Sequence, residues 1–324
     1  MISMKKASKI ILIILLLLIL LLVVGPFLIP IQSIGEVEDP SQLAYPDSQF
    51  QDVNGVNIHY QKVGQGEPTL LLLHGFAANT SSWRKVIQPL ASADRSVIAF
   101  DRPAFGLSER PETWSGLNPY SSSFATQLTT GLMDQLDIEQ AVLIGNSAGG
   151  TVALDTALKH PDRVKALILV DPSIYSGGPN SGLLHALFQT PQMNRLGPLL
   201  ARQLATRAEN LIKMAWYDSS NISLQELEGY QKPLKIVNWD KALWEFTKAS
   251  EDLNLPEQLE KLSVPVLVIT GANDQIVPAE DSIRLASVIP NAELKVIQAC
   301  GHVPQEECPE EFLAAVNDFL ARLP

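Results

Sequence analysis

The sequence is short of features that would indicate a cofactor or a nucleic-acid partner. It has two cysteines in 324 residues, no glycine-rich phosphate loop, no dinucleotide-binding fingerprint and no cluster of residues with metal-ligand spacing. We therefore expect no cofactor and no metal ion. The net charge is −11, and the three lysines of residues 1–31 leave the rest of the chain at −14. Such an acidic chain argues against nucleic acid as a partner.

The apolar excess of the chain is concentrated at its N-terminus. Ile10–Val24 is an unbroken apolar run that follows three lysines. As a helix, residues 10–31 would span about 33 Å, enough for a hydrocarbon core of about 30 Å. Neither a good small-x-small cleavage site nor a cysteine for lipid attachment follows the run. We expect residues 1–31 to be a retained anchor with a cytoplasmic N-terminus and the rest of the chain outside. Cleavage as a signal peptide, followed by secretion, is the alternative.

Strand and helix patterns alternate along the rest of the chain. Residues 32–46 are polar and contain two prolines, which is typical of a linker, so the folded part is expected to begin near Asp47. Strands are predicted at Phe50–Val53, Val56–Val63, Thr69–His74, Ser96–Asp101, Ala141–Gly145, Val164–Val170, Val264–Gly271 and Leu294–Ile297. Helical spacing recurs at Trp83–Ala91, Tyr120–Leu136, Ala148–His160, Ala279–Ile289 and Pro309–Leu320. This alternation predicts an α/β fold with a mostly parallel sheet covered by helices on both faces.

The alternation is interrupted between Ser173 and about Leu255. In that stretch short amphipathic helical patterns replace the strands. Insertions of this size usually have a function, such as forming a lid. We therefore divide the folded part into a core, residues 47–172 and 256–324, and an inserted helical cap, residues 173–255.

One short motif in the core carries chemistry. The stretch AVLIGNSAGG, residues 141–150, is a strand that turns into a helix at Ser147. Gly145 and Gly149 complete G-x-S-x-G, because so tight a turn leaves no room for side chains two positions either side of the serine. The turn lifts the hydroxyl clear of the sheet, beside backbone N–H groups that can meet an anion. Alone the motif is weak, and partners downstream are its confirming context.

Four further stretches accompany this motif in a fixed order. They are HGF (74–76), DRPAFGLS (101–108), GANDQIVP (271–278) and GHVPQEE (301–307). Together the five resemble the α/β-hydrolase superfamily, and the resemblance covers nearly all of residues 47–324. It implies an α/β-hydrolase fold and a catalytic triad in the order serine, acid, histidine, with the acid and the histidine each following a late strand.

Among the histidines and acids, one pair fits the triad best. His302 lies C-terminal to an acid that itself follows a late strand, whereas His160 ends a helix and His185 lies in the inserted segment. His59 is expected in an early edge strand, and His74 is expected to shape the loop opposite the nucleophile. Asp274 ends an apolar strand in the turn GAND and is the favoured acid. Asp171 is its rival, because it also follows a strand.

The proposed chemistry explains why these residue types are needed. A serine hydroxyl is a poor nucleophile unless a base removes its proton, and a histidine can accept and return that proton near neutrality. Asp274 would fix the tautomer of His302 and stabilise its cation. The tetrahedral oxyanion requires N–H donors, which would be the backbone of Ala148 and, by the resemblance, that of Phe76.

The two cysteines, Cys300 and Cys308, flank His302. In an exported protein they could form a disulfide that closes a short loop around this histidine. The favoured interpretation is that both thiols are unpaired and at least one of them is buried.

A serine at position 147 argues against the aspartate-based chemistry of haloalkane dehalogenases and epoxide hydrolases, which share this type of fold. The expected activity is hydrolysis of a small-molecule carboxylic ester, including lipid esters, because a domain held near a bilayer meets amphiphilic esters. The first alternative is hydrolysis of a carbon–carbon bond in a dienone-type ring-cleavage product, since GNSAGG and DRPAFGLS also resemble that family. The second is a pseudoenzyme that binds a ligand under the cap.

Overall fold

A computed structural model describes the chain over residues 4–32, 34, 37–91, 94–175 and 182–323. Three residues of the expected linker, Ser33, Gly35 and Glu36, lie outside the described residues, as do residues 176–181 of the expected insertion. All of the predicted site residues are among those described.

An eight-stranded sheet forms the centre of the structure. Its strands are β1 Ser48–Val53, β2 Val56–Val63, β3 Thr69–Leu73, β4 Val97–Phe100, β5 Ala141–Asn146, β6 Val164–Val170, β7 Val266–Gly271 and β8 Glu293–Ile297. They are arranged in the order β1-β2-β4-β3-β5-β6-β7-β8. The pairs β1–β2 and β2–β4 are antiparallel, and all other neighbours are parallel. The predicted α/β-hydrolase fold is confirmed.

Helices cover both faces of the sheet, because the central strands are apolar on both sides. The helices are α1 Met4–Leu28, α2 Pro40–Leu43, α3 Ile87–Ala91, α4 Ser122–Gln135, α5 Ala148–Lys159, α6 Leu183–Phe188, α7 Pro191–Ala205, α8 Ala208–Ala215, α9 Leu224–Gln231, α10 Trp239–Lys248, α11 Ala279–Val288, α12 Pro304–Glu307 and α13 Pro309–Leu320. In β3, Leu71 and Leu73 pack with side chains of α4, α5 and α11. Leu70 and Leu72 point the other way, toward α3 and α13. The alternation of these leucines follows from the two-residue period of a strand.

The five helices α6–α10 lie between β6 and β7 in the chain. Helix α7 packs closely on α10, since a Cβ added to Gly197 would lie 1.9 Å from the ring of Trp244. Ion pairs join helix α9 to the core. Its buried Glu226 pairs with Arg84 at 2.9 Å and with Lys85 at 2.8 Å. We refer to α6–α10 as the inserted helices.

The segment before Asp47 departs from the expected free linker. It carries the short helix α2, whose Leu43 is buried against Leu107 and Ile236. The backbone N–H of Glu38 donates to the carbonyl of Lys235 at 3.0 Å. The folded part therefore begins before Asp47, and this segment lies on the inserted helices. Within α1, the stretch of 21 residues Ser8–Leu28 is long and apolar enough to cross a membrane.

The favoured expectation of unpaired thiols is wrong, because Cys300 and Cys308 form a disulfide. The short helix α12 turns the chain back after His302. It brings the two Cα atoms to 6.3 Å, within the range that a disulfide spans. The eight-residue separation gave no sign of this turn.

Loss of this disulfide should destabilise the protein. In the chain-entropy model, closing a loop this short contributes about 2 to 3 kcal/mol to the free energy of unfolding. Cys308→Ser is expected to lose about that much in urea denaturation. Wild-type protein unfolded in the presence of dithiothreitol should match the variant. A wild-type midpoint that reductant leaves unmoved would show that the bond contributes nothing.

Candidate active site

Ser147 lies at the sharp turn between β5 and α5. Its backbone has φ 53° and ψ −121°, a conformation that non-glycine residues rarely adopt. A Cβ at Gly145 would lie 2.4 Å from the carbonyl oxygen of Gly149, and one at Gly149 would lie 2.1 Å from that of Leu73. The two glycines are thus required by the close approach of helix and strands, for the reason the motif suggested. Ser147 itself is 8% exposed.

Asp274 and His302 are joined directly. The Nδ1 atom of His302 lies 2.6 Å from Oδ2 of Asp274. The other carboxylate oxygen, Oδ1, accepts the backbone N–H groups of Ile276 at 2.7 Å and Val277 at 3.0 Å. With its proton on Nδ1, directed at the carboxylate, His302 presents Nε2 as a proton acceptor. Among the described residues, the Ser147 hydroxyl makes no hydrogen bond, and catalytic hydrogen bonds often close only when substrate binds.

The loop that carries His302 is held from several sides. The backbone N–H of His302 donates to the carbonyl of Ala215, at the end of α8, at 2.7 Å. Its carbonyl accepts from Nδ2 of Asn146 at 3.0 Å, and Asn146 is the residue before the nucleophile. The carboxylate of Glu307 accepts the N–H groups of Gly301 at 2.7 Å and Tyr217 at 3.0 Å. Asn146 and Glu307 were not predicted as site residues, and their only signal in the sequence is their position inside GNSAGG and GHVPQEE.

The expected oxyanion donors lie on two sides of the serine. Ala148 is the first residue of α5, so its N–H has no partner within the helix. Phe76 follows β3 in a loop that touches the serine, since a Cβ at Gly75 would lie 3.2 Å from Cβ of Ser147. Within the described ranges, neither the N–H of Ala148 nor that of Phe76 donates to an acceptor. Both are available to an anion.

A buried histidine–arginine pair supports the loop of Phe76. The guanidinium of Arg102 donates to the carbonyl of His74 at 2.9 Å, and the backbone N–H of Arg102 donates to Nε2 of His74 at 3.1 Å. Nδ1 of His74 lies 2.8 Å from the carbonyl of Gly75. Burial, aided by the charge of Arg102, lowers the pKa of His74 to about 3. His74 therefore stays neutral and shapes the loop without transferring protons.

The low pKa of His74 predicts a pH-dependent stability. In the unfolded chain His74 binds a proton below about pH 6.5, whereas in the folded protein it does so only near pH 3. Its contribution to stability is thus present above pH 6.5 and is lost as the pH falls toward 3. Between pH 7.5 and 4.5, the stability advantage of wild type over His74→Gln should shrink by about 2 to 3 kcal/mol. An advantage that stays constant over this range, in parallel urea titrations, would contradict the assignment.

A second hydrogen-bonded series of serine, histidine and aspartate begins on β1 and β2 and does not include Ser147. The Oγ of Ser48 is 2.7 Å from Nε2 of His59, and Nδ1 of His59 is 2.7 Å from Oδ2 of Asp101. The expectation that His59 lies in an edge strand is wrong: β2 lies between β1 and β4, and His59 is fully buried. Asp101 also accepts the backbone N–H of Thr80 at 2.7 Å. These hydrogen bonds join β1, β2 and two loops. Ser48 lies within a strand and has no glycine-flanked turn.

The rival acid, Asp171, lies at the end of β6 and is fully buried. Burial, together with the nearby charge of Asp274, raises the pKa of Asp171 well above its usual range. The carboxylate that lies against His302 is that of Asp274. Both residues were candidates for the acid because both follow a strand. In the structure, Asp274 is the one of the two that contacts His302.

A small apolar cavity of about 60 Å³ borders the loop after Phe76. It is lined from the core by Ala77, Ala78 and Phe105, and from the inserted helices by Trp239 and Leu243. The inserted helices therefore lie over the edge of the sheet that carries the site.

Known proteins share this architecture. A family model described as alpha/beta hydrolase fold matches residues 68–309. An uncharacterized hydrolase of Bacillus subtilis, YugF, is 32% identical over 83% of this chain and 96% of its own length. A 2-hydroxy-6-oxononadienedioate/2-hydroxy-6-oxononatrienedioate hydrolase of Paraburkholderia xenovorans is 32% identical, covering 82% and 91%. A solved structure, a meta-cleavage product hydrolase of Pseudomonas fluorescens, is 28% identical with a TM-score of 0.63, covering 85% and 98%.

Proposed function

The chain belongs to the α/β-hydrolase fold family, and we propose that it is a serine hydrolase with Ser147 as nucleophile, His302 as base and Asp274 as the acid that orients His302. The observation that carries the proposal is the 2.6 Å contact between His302 and Asp274, on a loop tied by Asn146 to the glycine-flanked turn of Ser147. These two contacts link three distant parts of the sequence and support the proposal that their residues act in one site.

The residues would act in two half-reactions. In the first, His302 takes the Ser147 proton as Oγ attacks a substrate carbonyl carbon, and the N–H groups of Ala148 and Phe76 stabilise the oxyanion. The intermediate collapses, His302 returns the proton to the leaving group, and the acyl group stays on Ser147. In the second, His302 takes a proton from the water that attacks the acyl-enzyme, and returns it to Oγ of Ser147 as the acid is released.

We infer that the bond cleaved is the carbon–carbon bond of a dienone-type ring-cleavage product. This places the alternative ahead of the ester hydrolysis that the sequence analysis favoured. The support is the names of relatives: 2-hydroxy-6-oxononadienedioate and 2-hydroxymuconate semialdehyde hydrolases are 31 to 32% identical over 82% of this chain. In such a reaction the leaving group is a carbanion delocalised over the dienoate, and the proton from His302 neutralises it.

A specific observation keeps ester hydrolysis as the second candidate. The inserted helix α6 exposes Leu184 and Leu187, with 41% and 49% of their surfaces accessible. The neighbouring helix α7 contacts the apolar helix α1. Apolar surface beside a membrane helix suits an amphiphilic ester. The attack by Ser147 would be the same, and an alkoxide would leave in place of the carbanion.

Steady-state kinetics on the full-length protein in detergent separates the candidates. We would compare kcat/KM for 2-hydroxymuconate semialdehyde with that for p-nitrophenyl esters of graded acyl length, using Ser147→Ala as the blank. Faster turnover of the semialdehyde supports carbon–carbon hydrolysis, whereas turnover of esters alone supports the second candidate. Turnover of neither, in a folded protein that also fails to react with a fluorophosphonate, would support the ligand-binding pseudoenzyme.

We propose further that α1 is retained as a membrane anchor. The side chain of Gln192 donates to the carbonyl of Val23 at 3.2 Å, Arg195 donates to that of Ile29 at 3.0 Å, and Arg202 donates to that of Gln32 at 2.7 Å. Cleavage near the end of α1 would remove several of these acceptors from α7. The three lysines before the apolar run would place the N-terminus in the cytoplasm.

Membrane extraction tests the anchor. The full-length protein, expressed in cells, should stay in the membrane pellet after washing with alkaline carbonate, and its mass should include residues 1–31. A soluble form that begins after the apolar run would instead identify a signal peptide. Neither result alters the proposed chemistry of Ser147, which is assayed separately.

A further inference from the structure

The buried carboxyl group of Asp171 has two different environments at its two oxygens. Oδ1 accepts the hydroxyl of Thr270 at 2.6 Å and the backbone N–H of Gly271 at 3.1 Å. Oδ2 is buried and has no hydrogen-bond donor among the described residues. Asp274 follows in the turn after Gly271, and its carboxylate lies close enough for its charge to act on the Asp171 carboxyl group.

A hydrogen bond between two carboxyl groups requires a proton between them, since an ionised carboxylate can only accept. Asp274 accepts from His302, Ile276 and Val277, as an ionised group would. Because Oδ1 of Asp171 accepts from two donors and Oδ2 has none, a proton on this carboxyl group would be carried by Oδ2. Burial and the charge of Asp274 raise the pKa of Asp171 well above its usual range, in agreement with a neutral acid.

We propose that Asp171 is a positioning residue of the active site, whose protonated carboxyl group donates from Oδ2 to the Asp274 carboxylate and holds it against His302. This inference rests on the proposed function, because it assigns Asp171 a role in the same triad. The two candidate acids are then partners: Asp274 lies against the imidazole, and Asp171 fixes Asp274.

The geometry explains why a neutral acid suits this position. Thr270 and Gly271 on β7 lie just before the turn that carries Asp274, so Asp171 on β6 ties its strand to that turn. A second negative charge there would repel Asp274 in a site without bulk water. A neutral donor instead occupies a lone pair of Asp274 and leaves its charge directed at His302.

The matched pair Asp171→Asn and Asp171→Ala tests the proposal. The side-chain amide in Asp171→Asn is neutral, has the same shape, can accept from Thr270 and Gly271, and can donate to Asp274. We expect its kcat to stay within about twofold of wild type on whichever substrate the enzyme turns over. Asp171→Ala removes the donor, and its kcat should fall by about 10- to 100-fold, with KM little changed.

A spectroscopic readout is independent of turnover. The proton on Nδ1 of His302, in its short hydrogen bond with Asp274, should give a downfield proton resonance in the wild-type protein. The resonance should persist in Asp171→Asn and shift or broaden in Asp171→Ala. Because it needs no substrate, this measurement tests the role of Asp171 even if the proposed activity fails.

Several results would overturn the proposal. A loss of kcat in Asp171→Asn as large as that in Asp171→Ala would mean that the carboxyl group acts in its charged form. Full activity and an unchanged resonance in Asp171→Ala would mean that it positions nothing. If Asp171→Ala fails to fold, Asp171→Asn still tests the proposal. Its kcat must stay within about twofold of wild type and its downfield resonance must persist.

Discussion

Ser147→Ala is expected to lower kcat by about a million-fold, close to complete loss of the enzymatic rate. Alanine lacks the oxygen that attacks the carbonyl carbon, and no other described hydroxyl lies at a glycine-flanked turn between strand and helix. Folding should be unaffected, because the Ser147 hydroxyl makes no hydrogen bond within the described ranges. The measurement is single-turnover kinetics, with urea denaturation to check the fold.

Ser48→Ala is the matched control for this experiment. Ser48 also contacts a histidine that is paired with an aspartate, but it lies in β1 without a glycine turn. Its replacement should leave kcat within a few-fold of wild type. Equal losses in the two variants would assign the activity to something other than Ser147.

Asp274→Asn is expected to lower kcat by about 10⁴-fold. The amide keeps the shape of the side chain but removes the charge that stabilises the His302 cation. It can also donate to Nδ1, which would move the histidine proton to Nε2, the atom that must accept from Ser147. KM should change far less than kcat, because the Asp274 side chain has no exposed surface with which to contact substrate.

The exposed Asp162 offers a matched control, since Asp162→Asn removes the same charge from the surface. This variant should be as active as wild type. A fall of less than about tenfold in Asp274→Asn would show that His302 does not depend on Asp274, and the triad assignment would fail.

The sheet was predictable because a strand that is buried on both faces appears in the sequence as a continuous apolar run. Runs such as TLLLL of β3 have no polar position to place in solvent, so they indicate a central strand. Helix limits were harder to predict. Trp83–Ala91 was expected to be one helix, but the structure has a short 3₁₀ turn, Thr80–Trp83, followed by α3. Pro89 lacks an N–H group and fits only in the first turn of a helix, which places the start of α3 just before it.

The site was predictable where a motif fixes a residue locally and unpredictable where distant residues meet. The tight turn at Ser147 requires its glycines, so the sequence shows it. The contact between Asn146 and the carbonyl of His302 joins residues 156 positions apart. The proposed contact between Asp171 and Asp274 likewise depends on how β6 and β7 pair. Such contacts leave no periodicity or spacing in a single sequence.

The central claim is an activated serine at position 147, and labelling of the full-length protein with a fluorophosphonate tests it most directly. Mass spectrometry of the digested protein would locate the adduct. We predict labelling at Ser147 that disappears in Ser147→Ala and slows steeply in Asp274→Asn and His302→Ala. A folded wild-type protein that takes up no label, or that is labelled at another serine, would contradict the account.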